Sequence, residues 1–449
     1  MTEKNFKQAL RRGLGSAIIE LKTNENRLKY RDIIKYYCLR DISYDWQSEG
    51  SKGNYLYSAI CALGEKDYFE QIIIDKFLSQ CQDKLFCQLK DILLCYIYDG
   101  SRSARTALFE KYDYFAAKNG KLTKSFTIDV DEGFQWECLV VDLIDLTGFA
   151  IFKRYAVDIG NILPKNPNKR NNLYYNWFIF SAENKFGKEK IRVFFDNEYN
   201  KSETIKALVD TIKAEELSRE QNKQEKIDLK IVLETAKESV SAEYPFGKMF
   251  KCRRRFMKNA TESEIMDLVN AVICEKDETV KASLLVMFRD TPFPLGITPL
   301  IEYAQSDNKY LSETAIDCLE EFKDKRIHDL AMQLLKTKGL DSFALDLLRK
   351  NYKKSDDNVI YALLKKSTSI PHYVQMSIQS IYRHHRSANA FPSLYLVYQK
   401  GECSFCRNGI VEAMNHCGVL SDEILEECLY DSYNKTRRFA KRIIKKRKG

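Results

Sequence analysis

A short apolar pattern recurs along the C-terminal half of the chain at a nearly constant spacing. Six small or apolar residues stand 29 to 33 positions apart, and each is followed four positions later by a second apolar residue. The first members are Ala282, Ala315, Ala344, Ser377, Ile410 and Ala440, and the second members are Val286, Leu319, Leu348, Ile381, Met414 and Ile444. Four positions are about one helical turn, so each pair marks one buried helix face. This period is typical of stacked two-helix units, because a single helical hairpin cannot bury its own apolar face.

The N-terminal 150 residues show a looser version of the same pattern. No proline interrupts the first 163 residues, which favours a continuous run of helices. Apolar spacing and short polar connections predict helices at 5–21, 28–40, 54–63, 67–80, 84–98, 102–117 and 132–147. We therefore expect residues 1–150 to form helical hairpins that are degenerate copies of the later repeats.

Residues 151–245 depart from this pattern. A segment rich in asparagine and proline at 164–172 predicts a loop, and the charged stretch 202–239 predicts a solvated helix with one modest buried stripe. We expect an irregular, elongated helical segment here, with some strand at Lys190–Phe195. Regular repeats then fill 246–449, where Thr261 and Glu264 have capping-box spacing and most prolines fall between helices or at their starts.

The repeats resemble the shorter variety of HEAT-like repeats. The resemblance is carried by 313–324 and 408–418, each followed by an amphipathic second helix, at 326–335 and 422–430. The signatures of tetratricopeptide and ankyrin repeats are absent. The resemblance implies an all-α fold, an α-solenoid of stacked antiparallel helical hairpins. It also implies a non-enzymatic scaffold that binds a protein partner on its concave face.

The net charge of +9 is concentrated at the C-terminus. Residues 435–449 carry nine Lys or Arg and no acid, so the other 434 residues hold 63 basic and 63 acidic groups. A second basic stretch, 248–258, also lacks acids and contains two phenylalanines. Such segments fit phosphate groups or an acidic protein surface. The candidate residues are Lys248, Lys251, Arg253, Arg254, Arg255, Lys258, Arg437, Arg438, Lys441, Arg442, Lys445 and Lys446.

Nucleic-acid binding through these basic segments is the alternative function. Some bacterial DNA glycosylases are built from HEAT-like repeats, but the Trp, Asp and Arg constellation of that family has no counterpart here, so this likeness is an analogy only. Solvated surface charge and capping of the terminal repeat explain the same residues without a ligand.

A third candidate is the loop that contains Tyr44, Asp45, Trp46, Gln47 and Glu49. It places two carboxylates, an amide and two aromatic rings between helices, and loops at the edge of a solenoid form binding sites. The alternative is a helix-linking turn in which Trp46 is a packing plug.

Metal and cofactor motifs are weak in this sequence. Cys403 and Cys406 with His416, Cys417 and Cys428 include one paired spacing, and closed zinc sites usually have two, so we predict no metal. Gly13 and Gly15 begin a glycine-rich motif that lacks its third glycine, and we predict no catalytic residues and no cofactor. With no apolar run long enough to span a bilayer and no apolar leader, we expect a cytoplasmic protein without membrane contact.

Overall fold

The chain is all-α in the part that the structure describes. This computed structural model describes residues 1–79, 83–120, 130–162, 175–224, 227–239, 246–339 and 341–448. No β-strand forms among these residues, where one isolated parallel bridge links Ile370 and Gly401. The all-α class is therefore confirmed. Within the described ranges, no helix is both long and apolar enough to cross a membrane.

The helices follow one another closely along the chain. The first thirteen are α1 (Glu3–Arg12), α2 (Gly15–Thr23), α3 (Arg31–Cys38), α4 (Trp46–Glu49), α5 (Gly53–Leu63), α6 (Lys66–Leu78), α7 (Asp83–Tyr98), α8 (Arg102–Gly120), α9 (Val130–Thr147), α10 (Phe149–Ile162), α11 (Tyr175–Phe186), α12 (Lys188–Tyr199) and α13 (Glu203–Gln224). The others are α14 (Leu229–Ser239), α15 (Gly247–Asn259), α16 (Glu262–Cys274), α17 (Glu278–Leu285), α18 (Thr298–Tyr303), α19 (Lys309–Leu319), α20 (Lys325–Lys338), α21 (Ser342–Asn351), α22 (Asp356–Lys366), α23 (His372–His384), α24 (Phe391–Lys400), α25 (Ser404–Cys417), α26 (Asp422–Cys428) and α27 (Asn434–Lys448). Short 3₁₀ segments lie at Arg27–Tyr30, Val286–Phe288 and Ala388–Ala390.

Contacts between residues divide the chain into two compact units. The first unit combines Met1–Lys223 with Leu425–Gly449, and the second unit is Gln224–Ile424. The sequence analysis divided the chain by its hydrophobic pattern, whereas these units are defined by contacts between residues. The predicted segments are 1–150, 151–245 and 246–449. The two divisions differ most at the C-terminus, because residues 425–449 pack within the first unit.

Two predicted elements in the first unit differ from those observed. The helix predicted at 5–21 is divided because Gly13 adopts a left-handed conformation, with φ of 76°, and ends α1. The strand predicted at Lys190–Phe195 is wrong, because these residues lie in α12. Ile191, Phe194 and Phe195 have helical spacing, and both phenylalanine rings pack on Phe152 at centroid distances of 5.5 and 5.9 Å. The loop predicted at 164–172 lies outside the described residues.

Aromatic side chains form much of the core of the first unit. Trp136 of α9 is fully buried and packs edge-on against Tyr155 of α10, with ring centroids 4.9 Å apart. Phe178 of α11 packs edge-on against the same tyrosine at 4.8 Å. Three helices that follow one another along the chain therefore share one aromatic cluster, and edge-to-face geometry is favourable for such rings.

The C-terminal segment of the first unit lies directly against α2. A Cβ atom placed on Gly15 would lie 1.9 Å from the carbonyl oxygen of Glu427, so only glycine fits this contact. The Glu427 carboxylate accepts a hydrogen bond of 3.1 Å from the Ser16 amide, and the Ser432 amide donates to the Gly13 carbonyl at 2.9 Å. These three contacts show that the N-terminal helices and the C-terminal segment pack together within the first unit.

Successive repeat helices pack on one another in the second unit. α17 packs on α19, α19 on α21, α21 on α23, and α23 on α25. The intervening α18, α20 and α24 pack beside α19, α21 and α25. Five of the six predicted first-position residues lie in this unit and are buried, and the sixth, Ala440, is buried in the first unit. The second-position residues are buried except Ile444, also in the first unit, which is half-exposed. The predicted repeat faces are therefore confirmed as core.

Helix ends in the second unit follow the local sequence signals. The Thr261 hydroxyl accepts from the Glu264 amide at 3.2 Å, and the Glu264 carboxylate accepts from the Thr261 amide at 2.8 Å, which is the predicted capping box. Pro299 and Pro392 occupy the first turns of α18 and α24, where a missing amide hydrogen costs nothing.

Candidate functional site

A row of charged side chains crosses neighbouring repeat helices of the second unit. We call it the charged strip, and it consists of Arg289, Asp317, Glu320, Asp346 and Arg349. The Arg289 Nε lies 3.1 Å from the Asp317 Oδ2, and the Arg349 Nη2 lies 3.3 Å from the Glu320 Oε2. Asp317 and Glu320 side chains are only 20% exposed. The strip therefore contains charges that are partly removed from water.

The repeat spacing explains why these residues meet. Asp317 and Asp346 each stand two positions after a buried alanine of the repeat pattern, and Glu320 and Arg349 each stand five positions after it. Because α19 and α21 are neighbours, equivalent positions in successive repeats come to lie side by side. The strip was missed in the sequence analysis, although aligning the repeats on their buried alanines would have found it.

The carboxylates of the strip hold their protons more strongly than ordinary carboxylates do. Burial, together with the charges of Asp346 and Asp317, raises the pKa of Glu320 to about 8, against the opposing effect of Arg349 and Arg289. Burial likewise raises the pKa of Asp317 and of Asp346 to about 6. Three carboxylates thus share two guanidinium groups, and full ionisation leaves a surplus of negative charge.

One residue of the predicted 248–258 segment faces the strip. Arg253 of α15 is half-buried and forms an ion pair with Asp290, the neighbour of Arg289 in the chain. The Arg289 guanidinium also lies 5.6 Å from the centroid of the Phe250 ring. Burial lowers the pKa of the Arg253 guanidinium, with a smaller contribution from Arg289. The sequence analysis therefore identified Arg253, which lies at one end of the charged strip. It did not identify the carboxylates of the strip.

The remaining cations of this segment lie on the solvent side of α15. We call this group the basic face of α15, and it consists of Lys248, Lys251, Arg254, Arg255 and Lys258. Lys248 pairs with Glu238 at 3.4 Å. Among the described residues no carboxylate forms an ion pair with the other four cations of this face, three of which are exposed. The basic face is thus a local excess of positive charge.

The C-terminal basic residues have mixed roles. Arg437 is half-buried and donates to the carbonyl oxygens of Asp431 and Ser432 at 2.6 and 2.9 Å, and burial lowers its pKa. Phe439 is buried, as its position on the predicted apolar stripe requires. The other five predicted cations of α27 are exposed: Arg438, Lys441, Arg442, Lys445 and Lys446. This helix lies in the first unit, whereas the basic face of α15 lies in the second.

The Tyr44 loop uses most of its polar groups internally. Glu49 is buried, accepts from the Tyr44 amide and from the Asp45 amide at 3.3 Å, and lies 3.4 Å from the buried Lys52 ammonium. Asp45 accepts from the Ser48 hydroxyl at 2.6 Å. Trp46 packs edge-on against Phe134 with centroids 5.4 Å apart, while Tyr44 and Gln47 remain exposed. This arrangement supports the interpretation of the loop as a packed turn.

The structure brings a different histidine to the Cys403–Cys406 pair than the sequence suggested. The side-chain ligand atoms of His372, Cys403 and Cys406 all lie within 4.8 Å of one another, and they form the group with metal-ligand geometry among the described residues. His416 and Cys417 are not members of that group. The Cys417 thiol donates instead to the carbonyl oxygens of Tyr382 and His385, at 3.5 and 3.9 Å.

A depression of about 600 Å³ lies between the ends of repeat helices in the second unit. Its lining is mostly basic and consists of Lys323, Asp324, Lys325, His328, Lys350, Asn351, Tyr352, Lys353 and His385. Several of these groups are already engaged, since His328 lies 3.2 Å from Asp356 and Lys350 donates to Glu321 at 3.0 Å. The charged strip, in contrast, combines partly buried carboxylates with raised pKa values.

Comparison with known proteins adds no relative to this picture. Neither the protein-family models nor the curated proteins compared with the sequence match it. Functional inference therefore rests on the residues described above.

Proposed function

We propose that this chain is a non-enzymatic HEAT-like α-solenoid that binds a protein partner through the charged strip of its second unit. The succession of repeat helices, each with a buried first-position residue, supports the solenoid architecture. The observation that carries the binding role is the set of three partly buried carboxylates that share two guanidinium groups. In this proposal the strip lies on the concave face of the repeats.

The chemistry of the strip favours a partner with basic side chains. Burial is the main cause of the raised pKa values of Asp317, Glu320 and Asp346, and repulsion from neighbouring carboxylates adds to it. A lysine or arginine placed among them would offset that repulsion in a partly desolvated setting, where charge pairing is stronger than at an open surface. Binding of a cation should then release protons and should strengthen as the pH rises from about 6 to about 8.

A charge-neutralised variant tests this proposal with a defined probe. The probe is a fluorescent arginine- and lysine-rich peptide, compared with a peptide of equal length that carries glutamate in place of the basic residues. We expect the triple variant Asp317→Asn, Glu320→Gln, Asp346→Asn to bind the basic peptide at least ~10-fold more weakly, a loss of about 1.4 kcal/mol. Fluorescence anisotropy at pH 8 measures both affinities.

The matched control changes net charge equally at other exposed positions of the second unit. Glu262→Gln, Asp267→Asn and Glu302→Gln remove three carboxylates that form no ion pair among the described residues. This control should bind within about twofold of the unmodified chain. If both triple variants lost the same affinity for the basic peptide, the binding would be general electrostatic attraction. That result would reject the strip as a binding site.

Nucleic-acid binding is the second candidate, and the basic face of α15 is the observation that favours it. Four of its five cations have no carboxylate partner among the described residues, and phosphate groups are natural partners for such a surface. The exposed cations of α27 supply a second basic surface, in the other unit.

Salt dependence separates phosphate contacts from protein recognition. If the basic face binds duplex DNA, the logarithm of affinity should fall with the logarithm of salt by about 0.9 per phosphate contact. Reversing Arg254 and Arg255 to glutamate should flatten that slope by about two contacts. Lys276→Glu with Lys336→Glu, at exposed positions elsewhere in the second unit, is the control that matches the change in charge. A chain with no affinity for nucleic acid at low salt would exclude this candidate.

A further inference from the structure

Two cysteines and one histidine converge at neighbouring helix starts in the second unit. Cys403 is the N-cap residue of α25, and Cys406 lies in the first turn of the same helix. His372 is the first residue of α23, which packs against α25. The Cys406 Sγ lies 3.3 Å from the His372 Nδ1. A paired spacing on one helix and a ligand from its neighbour therefore build a three-sided cluster.

The two thiols lie at one helix end. Cys403 and Cys406 stand at the N-terminus of α25, where the helix dipole favours negative charge. Cys403 and Cys406 are fully buried, which excludes bulk water from the sulfur atoms, whereas His372 is half-exposed and leaves a route from solvent. The cluster is thus both shielded and reachable.

The donor set suits zinc, and its ligand atoms lie near one another. Tetrahedral zinc with bonds of about 2.3 Å to sulfur and about 2.05 Å to nitrogen requires ligand atoms roughly 3.5 to 3.8 Å apart. The observed 3.3 Å between sulfur and nitrogen is close to that value, and the full set lies within 4.8 Å. Two sulfurs and an imidazole nitrogen disfavour Mg²⁺ and Ca²⁺, which prefer oxygen ligands.

We propose that His372, Cys403 and Cys406 bind one zinc ion, with water or another external ligand in the fourth position. The three ligand atoms lie close enough to one another to share one ion. This proposal departs from the sequence-based prediction of no metal, because that prediction considered His416, Cys417 and Cys428 as the additional ligands. The structure supplies His372 instead, thirty-one positions before Cys403 in the chain.

Metal content of the full chain tests the site directly. The protein is purified under reducing conditions with zinc sulfate present and is then dialysed against metal-free buffer. We expect one equivalent of zinc by elemental analysis, and at least a ~10-fold weaker zinc affinity in Cys403→Ser and in His372→Ala. Substitution with Co²⁺ provides a spectroscopic readout, because tetrahedral cobalt with thiolate ligands gives intense visible bands and sulfur-to-cobalt charge transfer.

Matched controls use the residues that the sequence had suggested. Cys417→Ser and His416→Ala should retain full zinc content and the same cobalt spectrum. Substitution of the buried Cys403 could misfold the chain, so His372→Ala provides an independent test at a half-exposed position. Circular dichroism verifies that the His372→Ala variant keeps the helix content of the unmodified chain. Less than ~0.1 equivalent of zinc in the unmodified chain, or a disulfide between Cys403 and Cys406 in the reduced preparation, would overturn the proposal. Zinc lost in Cys417→Ser but kept in His372→Ala would overturn the assigned ligands.

Discussion

The charged strip and the basic face of α15 both belong to the second unit, yet they hold their charges differently. In the strip, carboxylates from α19 and α21 are half-buried and crowd around two arginines. On the basic face, Lys251, Arg254 and Lys258 extend into solvent. A partly desolvated charge depends on its neighbours, whereas an exposed charge is screened by water and salt. The two regions hold similar numbers of charged residues, but substitutions in the strip should change the free energy of unfolding more than substitutions on the basic face.

Removing the cation of the strip should have the largest effect on stability. Arg349→Ala leaves Glu320 and Glu321 without the guanidinium that lies 3.3 and 3.1 Å from them. We expect a loss of about 1 to 3 kcal/mol in the free energy of unfolding, because a half-buried carboxylate is left without its partner. Arg254→Ala on the basic face should change that free energy by less than about 0.5 kcal/mol. Urea denaturation of both variants measures the difference.

Arg349→Lys sharpens this comparison, because lysine keeps the charge but loses the planar fork that reaches two carboxylates. It should restore part of the stability lost in Arg349→Ala. Equal destabilisation by Arg349→Ala and Arg254→Ala would show that the strip is as well solvated as the basic face.

The next effect is a pH dependence of stability that the strip should produce and the basic face should not. The pKa of Glu320 in the folded chain is about 8, against an ordinary value of 4.5. The folded state therefore binds a proton more tightly than the unfolded state, so this contribution to stability is complete below about pH 4.5 and is lost as the pH rises through about 8. Glu320→Gln stays neutral, and its stability relative to the unmodified chain should increase between pH 5 and pH 8.

Denaturant midpoints at several pH values test this sign. Each unit of pKa difference corresponds to about 1.4 kcal/mol, which sets an upper limit on the slope. Glu262→Gln, at an exposed position in α16, is the control and should give a flat difference. A Glu320→Gln variant that loses relative stability as the pH rises would contradict the raised pKa.

The smallest effect concerns salt. Lys248 pairs with Glu238 through side chains that are about two-thirds exposed, so Lys248→Ala should cost less than about 0.5 kcal/mol at low salt. In 1 M salt the Debye length is about 3 Å, and the cost should vanish. The cost of Arg349→Ala should persist at high salt, since its partners are partly shielded from ions. If the loss of stability in Lys248→Ala did not change with salt, the basic face and the charged strip would not differ in how strongly salt screens their charges.

Local sequence signals were sufficient to predict much of the helical structure. The helices predicted at 54–63 and 84–98 match α5 and α7 within a residue, and the Thr261 capping box is present. These features depend on neighbours within one or two helical turns. The strand predicted at Lys190–Phe195 failed because a short apolar run has no decisive period of its own, and packing on Phe152 selected the helix.

Candidate sites were predictable only in fragments. The 248–258 segment was recognised by charge, but Arg253 and Arg254 are adjacent in sequence and have different surroundings, one beside Asp290 and the other exposed. Helical rotation separates neighbours in this way, and net charge along the chain does not reveal it. Likewise, the Cys403–Cys406 spacing was visible, but its histidine was assigned from the nearest sequence position rather than from the neighbouring helix.

The sequence by itself determined that this chain is helical, where its repeats place their buried residues, and that its surplus positive charge lies near the C-terminus. These properties are local or compositional, so they do not depend on how distant segments meet. Tertiary structure alone decided that Asp317, Glu320 and Asp346 share two arginines, that His372 joins Cys403 and Cys406, and that Gly15 contacts Glu427. The physical reason is that helix packing brings together residues separated by about one repeat or by the length of the chain. Charge repulsion, metal-ligand geometry and backbone contact arise only once those residues are within a few ångströms.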